Sequence, residues 1–280
     1  MNQTENAVNN YEIPKDYISH SQVGMYLRCG EQYRRRYLEN EVIPPRVVML
    51  KGSGVHEGMK HNNRQKIESR VDLPKKDIIE LSVVGFEDRV AKEGLMLTPD
   101  ELSVGKDKIV GGAKDSIVSI AGLYADVMAP TIQPIHAEET IIINIPKLPP
   151  IKTVLDLIDD QKNVRDAKIS GKKKSQKDVE TSLQLTMYAI AFRVLKGELP
   201  ASVLFDVLVD KKKPEYQIAK SYRDMEDFNA GLQILITALN GITKGVFLPA
   251  PEGFWGCDAR YCGYYESCKY ISKNKKVIGG

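Results

Sequence analysis

The sequence predicts a mixed α/β (α+β) fold, with a small central mixed sheet flanked by helices and a helical part inserted ahead of the sheet. Three observations predict it. Apolar residues recur at helical spacing up to Pro130, β-rich runs cluster from Ile135 to Ala219, and one helical stretch at 180–196 lies between two of those runs.

Residues 1–16 read as a flexible tail. The first helix starts at Ser19, an N-cap with Gln22 three residues on and Ile18 and Val23 as a hydrophobic staple. It carries Tyr26, Leu27, Tyr33 and Tyr37, with Cys29 between them and Arg34-Arg-Arg36 at its far end. Gly52-Ser-Gly54 is expected to break the pattern, so that a second helix opens near Val55-His56-Glu57. Residues 76–93 form a further amphipathic stretch. Thr98-Pro99-Asp-Glu101 combines an N-cap, a first-turn proline and a capping-box glutamate. Gly111-Gly112 reads as an interruption before Ile117, Ile120, Ala121 and Tyr124. Ile135–Ile145 is the first strand, and two short runs around Val154–Ile158 and Val164–Lys168 are the next two. The helix at 180–196 then crosses back to a strand at 201–209, with 214–219 as its hairpin partner. A long helix follows, striped by Phe228, Leu232, Leu235, Leu239 and Ile242. One domain is expected over 17–280: a helical part (17–130), a sheet core (131–220), and a helix plus three-cysteine segment (221–280).

The chain has 280 residues, 42% hydrophobic and 28% charged, which is ordinary for a globular protein. No apolar run approaches the roughly 18–20 residues of a membrane span, and Met1–Asn10 lacks an apolar signal core. A cytoplasmic setting follows, where thiols stay reduced and four cysteines read as metal ligands or free thiols. The net charge of +3 does not itself demand nucleic acid. The local clusters Arg34–Arg36, Lys172–Lys174, Lys211–Lys213 and Lys273–Lys276 are either solvated faces or phosphate contacts.

The chemistry concentrates in the second and third strands. Asp156 and Asp166 each stand in an apolar β-rich run, and Lys168, two residues past Asp166, shares its face. Two buried carboxylates repel unless a cation joins them, and a hard ion such as Mg²⁺ or Mn²⁺ suits oxygen donors. Lys168 then stands where it can polarise a water or a phosphate. His56 is either a structural histidine or a further ligand. Gln184 and Tyr188, four apart, share one helix face. Cys257, Cys262 and Cys268, with Cys29 far upstream, make a Cys₄ set for a 4Fe–4S cluster or for Zn²⁺. The single spacings of four and five, without paired knuckles, favour iron–sulfur.

Together these residues resemble the PD-(D/E)XK nuclease superfamily and, within it, the RecB-type exonucleases with an iron–sulfur cluster, found in phages and beside CRISPR systems. The resemblance runs from Ile18 to Lys269. It is carried by Ser19-His-Ser-Gln22 with Cys29, Gly54-Val-His56-Glu57, Leu155-Asp156, Asp166-Ala-Lys168, Gln184-x-x-x-Tyr188, and the closing Cys257, Cys262 and Cys268. Gly30, Thr153 and Ile169 depart from the family's usual proline, glycine and threonine. The resemblance implies a restriction-endonuclease-like core with a C-terminal iron–sulfur segment closing onto Cys29. It implies metal ligation by His56, Asp156, Asp166 and the Ala167 carbonyl, water activation by Lys168, and strand or lysine positioning by Gln184 and Tyr188. Glu138 is a weaker supporting candidate, and Arg34, Arg35, Lys172, Lys173 and Lys174 are candidate DNA contacts. The implied activity is a metal-dependent exonuclease on DNA ends or single strands, in a bacterial cell and of phage or host coding, with recombination or replication proteins as partners. The alternatives are a CRISPR-adaptation end-trimming nuclease and a non-cleaving DNA-binding subunit with structural zinc.

Overall fold

The computed structural model describes Ile13 and residues 15–271, so the flexible-tail reading of 1–16 falls almost wholly outside the described residues, as does the basic run Lys273–Lys276. Ser19 caps α1 (His20–Arg28) by accepting from the Gln22 amide, as its spacing predicts. The Cys29 thiol caps the short α2 (Gly30–Tyr33), which winds into a π-helical turn over Arg34–Leu38.

The helix α3 (Val47–Ser69) corrects the sequence reading, for it runs unbroken through Gly52 and Gly54. Gly54 serves close packing. A Cβ there would come within 2.7 Å of both the Ser82 carbonyl and the Phe86 side chain of α4 (Lys75–Glu93). The helices α5 (Pro99–Val104), with its Thr98–Glu101 capping box, and α6 (Lys106–Leu123) follow. Gly111 and Gly112 do not interrupt α6, since an amphipathic face that packs well outweighs about 1 kcal/mol of lost propensity per glycine.

The sheet comprises β1 (Pro134–Ile143), β2 (Ile151–Asp159), β3 (Asn163–Ser170), β4 (Ser202–Val209) and β5 (Glu215–Ser221), in spatial order β1-β2-β3-β4-β5. Only β3 and β4 are parallel, and between them α7 (Gln176–Glu180) and α8 (Leu183–Lys196) make the crossover. Every residue of β4 is buried, which is why it is apolar apart from Ser202 and Asp206. The last helix, α9 (Met225–Thr243), precedes an irregular segment to residue 271.

Two apolar cores cover the two faces of the sheet. One joins Ile151, Leu155 and Val203 to Val23 of α1, Phe192 of α8 and Leu235 of α9. The other joins Leu157, Ala167 and Leu208 to Val55 of α3, Phe86 of α4 and Ile117 of α6. No helix among the described residues is long and apolar enough to cross a membrane.

The C-terminal segment returns to the N-terminal helices. Tyr26 donates to the Val246 carbonyl at 2.7 Å, and Tyr33 stacks on Phe247. Gly30 lets the two backbones meet: a Cβ there would lie 2.9 Å from Phe247 Cα and from the Leu248 nitrogen. Arg35 is buried, donating to Glu41, to Ser267 Oγ at 2.7 Å and to the Tyr264 carbonyl at 3.3 Å.

Candidate active site

The strands β2 and β3 pair at Leu157↔Arg165 and Ile158↔Val164 and then part. One residue beyond that paired stretch, the register sets Asp156 opposite Asp166. The site lies at this fork. Below it, Arg165 pins the strands: it grips Asp206 of β4 through two bonds of 2.8 Å and Asp159 of β2 at 3.0 Å. A buried cation with three charge-assisted bonds holds strand spacing where ladder pairing gives out.

From one face of the fork α8 contributes Gln184 and Tyr188, adjacent because they are one turn apart. Gln184 donates to Asp166 Oδ1 at 2.7 Å and accepts from Lys168 Nζ at 2.8 Å. Its amide also donates to the Tyr188 hydroxyl at 3.0 Å, and that hydroxyl donates to Asp156 Oδ1 at 3.1 Å. Lys168 Nζ lies 2.6 Å from Asp166 Oδ2 as an ion pair, over the Phe205 ring. Asp166 Oδ2 nevertheless accepts no well-aligned hydrogen bond and is shut off from solvent. From the other face α3 brings His56, whose ring bonds to the Ala167 carbonyl. The backbone of Ala167 also meets Asp156.

The electrostatics follow from burial. Desolvation, opposed by Lys168, pushes Asp156 up to about 6. Desolvation and the neighbouring Asp156 push Asp166 up to about 7. Burial lowers His56 and keeps its imidazole neutral, the form that can donate a lone pair. Burial also raises the Tyr188 hydroxyl well above its ordinary range, so it stays a proton donor to Asp156.

Two residues gain weight from the geometry. Glu138, opposite Asp156 on β1, sits at φ +55°, a left-handed conformation that a glutamate within a strand adopts only under constraint. It lines the same small cleft as His56, Asp156 and Ala167. His20 packs its ring edge-on to Tyr188 at 5.7 Å. Burial, then Lys168, lower its pKa to about 4. Its only sequence signal was its position after the Ser19 cap.

The other sequence-predicted residues are placed as follows. Arg34 is engaged by Glu31 and Glu39, and Arg35 is buried in the C-terminal tie, so both have partners other than a strand. Lys172, Lys173 and Lys174 follow β3; the first two are exposed, and Lys173 reaches Glu215 at 3.3 Å. The four cysteines form no disulfide and share a neighbourhood: burial raises Cys262, and Cys29, Cys257 and Cys268 add to the effect. Among the described residues, no group of three or more His, Cys, Asp or Glu side chains is arranged so that it could hold a metal ion.

A family model described as the PD-(D/E)XK nuclease superfamily matches residues 17–269. Among curated proteins, none matches the sequence. Of solved structures, a candidate exonuclease from Eubacterium rectale superposes with a TM-score of 0.54 at 12% identity, over 100% of this chain and 96% of that one. At that identity the likeness shows the fold alone, in accord with a five-stranded mixed sheet between helices. By the family match, which spans nearly its whole length, the chain belongs to the PD-(D/E)XK nuclease superfamily.

Proposed function

We propose that this chain is a divalent-metal-dependent DNA exonuclease acting on ends or single strands. The observation that carries the reading is the pair of buried carboxylates with raised pKa, side by side where β2 and β3 part, beside a lysine and a neutral imidazole. The donor chemistry fits Mg²⁺ or Mn²⁺: Asp156, Asp166, His56 and the Ala167 carbonyl would hold the ion. When bound, the ion would lower the pKa of a water and neutralise charge on the scissile phosphate.

The chain's own residues supply the rest. Lys168 places its ammonium beside Asp166, where it can orient the attacking water and offset charge on the phosphate oxygens. Gln184 holds that ammonium and the Asp166 carboxylate in one plane of contacts, and Tyr188 fixes Asp156. Glu138 adds a carboxylate beside Asp156 in the cleft. Action at ends is also the role in the name of the Eubacterium rectale protein that shares this fold, a candidate exonuclease. The sequence pattern of Cys29, Cys257, Cys262 and Cys268 is the ground for a Cys₄ centre, read as 4Fe–4S, with structural zinc as the other filling.

The test is cleavage of end-labelled single- and double-stranded DNA with Mn²⁺ or EDTA. Asp166→Ala and Lys168→Ala should each lose at least about a hundredfold in rate while melting as folded proteins. Wild-type rates in either variant, or equal cleavage in EDTA, would refute the assignment.

A further inference from the structure

A groove of about 660 Å³ runs between α1, the loop before α3 and the three-cysteine segment. Among the described residues its walls carry Arg28, Arg36, Arg46 and Lys92 against one carboxylate, Glu93, which Arg89 already engages at 2.9 Å. The groove is therefore strongly cationic in a chain whose net charge is only +3.

Arg46 adds charge to the groove wall, where its guanidinium also favours the charged form of Asp258. Its Nη2 donates to the Ala259 carbonyl at 2.8 Å, but Nε and Nη1 are shielded from water and have no acceptor. A guanidinium edge left without acceptors is costly, and its fork matches the two oxygens of a phosphate. Arg46 is also the N-cap residue of α3, a 23-residue helix with no side-chain cap, so the positive end of the dipole lies beside it.

Aromatic surface completes the site. Tyr37 and Tyr261 line the groove, and Tyr261 meets Trp255 edge-on at 5.0 Å. Trp255 is 70% exposed and Tyr261 53% exposed. Exposed rings beside a cluster of cations suit bases and phosphates together, the combination that single strands require. The groove and the active site are built on two shared elements. Ser21 lines the groove while His20, next in α1, abuts Tyr188, and α3 carries both Arg46 and His56.

We propose that this groove binds the single-stranded nucleic acid that leads to the active site, phosphates on Arg28, Arg36 and Arg46 and bases on Tyr261 and Trp255. The proposal rests on the nuclease reading above, in that it names the form of substrate and its route. It moves the strand contact from Arg34 and Arg35, which have partners, to Arg28 and Arg36 on neighbouring turns.

Trp255 is the chain's only tryptophan and so reports on the groove directly. Full-length protein in EDTA is titrated with a labelled twelve-residue oligothymidylate, following Trp255 emission and the anisotropy of the label. Quenching together with binding is expected. In Arg28→Gln/Arg36→Gln affinity should fall about tenfold or more, and the slope of log K against log salt should shrink by about 1.4, for two phosphate contacts. Neither side chain lies in an apolar core, and the melting temperature of the variant checks its fold.

Unchanged binding by the folded double variant overturns the proposal. So does equal quenching by oligoglutamate, which shares the charge but not the bases, or equal affinity for a blunt duplex of the same length. A thymidine phosphate nitrophenyl ester with Mn²⁺, too short to fill the groove, separates the two readings. Ester cleavage without oligonucleotide binding rejects the groove and keeps the nuclease. Oligonucleotide binding without any cleavage rejects the nuclease and keeps the groove.

Discussion

Asp156 and Asp166 stand where two strands part, and both hold their protons more tightly than free carboxyls do. The sign of the pH dependence follows. Stability from the pair is full below about pH 4, where folded and unfolded chains are both protonated. It is lost as pH rises through about 6 and about 7, because the unfolded chain ionises without penalty. A cation between the two carboxylates removes that penalty. Mg²⁺ or Mn²⁺ should therefore raise the melting temperature clearly at pH 8 and scarcely at pH 5. Asp166→Asn should raise it at pH 8 in EDTA, by about 2–4 °C for each kcal/mol recovered. Calorimetry in EDTA and in Mn²⁺ decides, and equal metal effects at both pH values would be the contrary result. The two aspartates and Lys168 were legible because charged groups inside apolar β-rich runs demand a reason. Glu138 carried less signal, since its weight comes from a left-handed backbone that no residue pattern announces. His20 lay hidden in a helix start whose capping explained it fully.

At the scale of elements, the strands could be read closely, because β4 is mostly apolar and the β3–β4 crossover contains an unmistakable helix. The glycines misled. Gly54 and Gly58 mark where α3 and α4 touch, and a methyl group at Gly58 would meet the Ile78 carbonyl at 2.6 Å. Gly111 and Gly112, within α6, have open space around them. Sequence alone cannot tell these two uses apart, because the deciding neighbour is on another helix. The consequence is a sharp contrast: Gly58→Ala should cost about 1–3 kcal/mol by forcing α3 from α4. Gly111→Ala should stabilise by about 0.5–1 kcal/mol through helix propensity and unfolded-state entropy. Urea denaturation of both variants measures this, and a shift of the same sign in both would contradict the packing argument.

Over the whole molecule, the first helices and the last segment are tied together by contacts more than 200 residues apart in sequence. Arg35 to Ser267 and Tyr264, and Tyr26 to Val246, are the clearest of these ties. The four-cysteine pattern suggested such a closure, whereas the arginine's part in it could not be read, since a triplet of arginines looks like surface charge. If a Cys₄ cluster reinforces the tie, Cys262→Ser should lose brown colour and soluble yield. Anaerobically purified wild type should then hold iron and acid-labile sulfide; a colourless protein containing zinc would favour the other filling. The unbroken course of α3 has a further implication. Arg46 opens the helix and His56 stands ten residues on, about 15 Å along a rigid axis. That rod acts as a ruler between the place where a strand would be gripped and the place where it would be cut. The duplex rise of roughly 3.4 Å per nucleotide is a lower bound on the reach of an extended single strand, so a few nucleotides separate the grip from the cut. Degradation by such a machine would end in short fragments left over, not in single nucleotides alone.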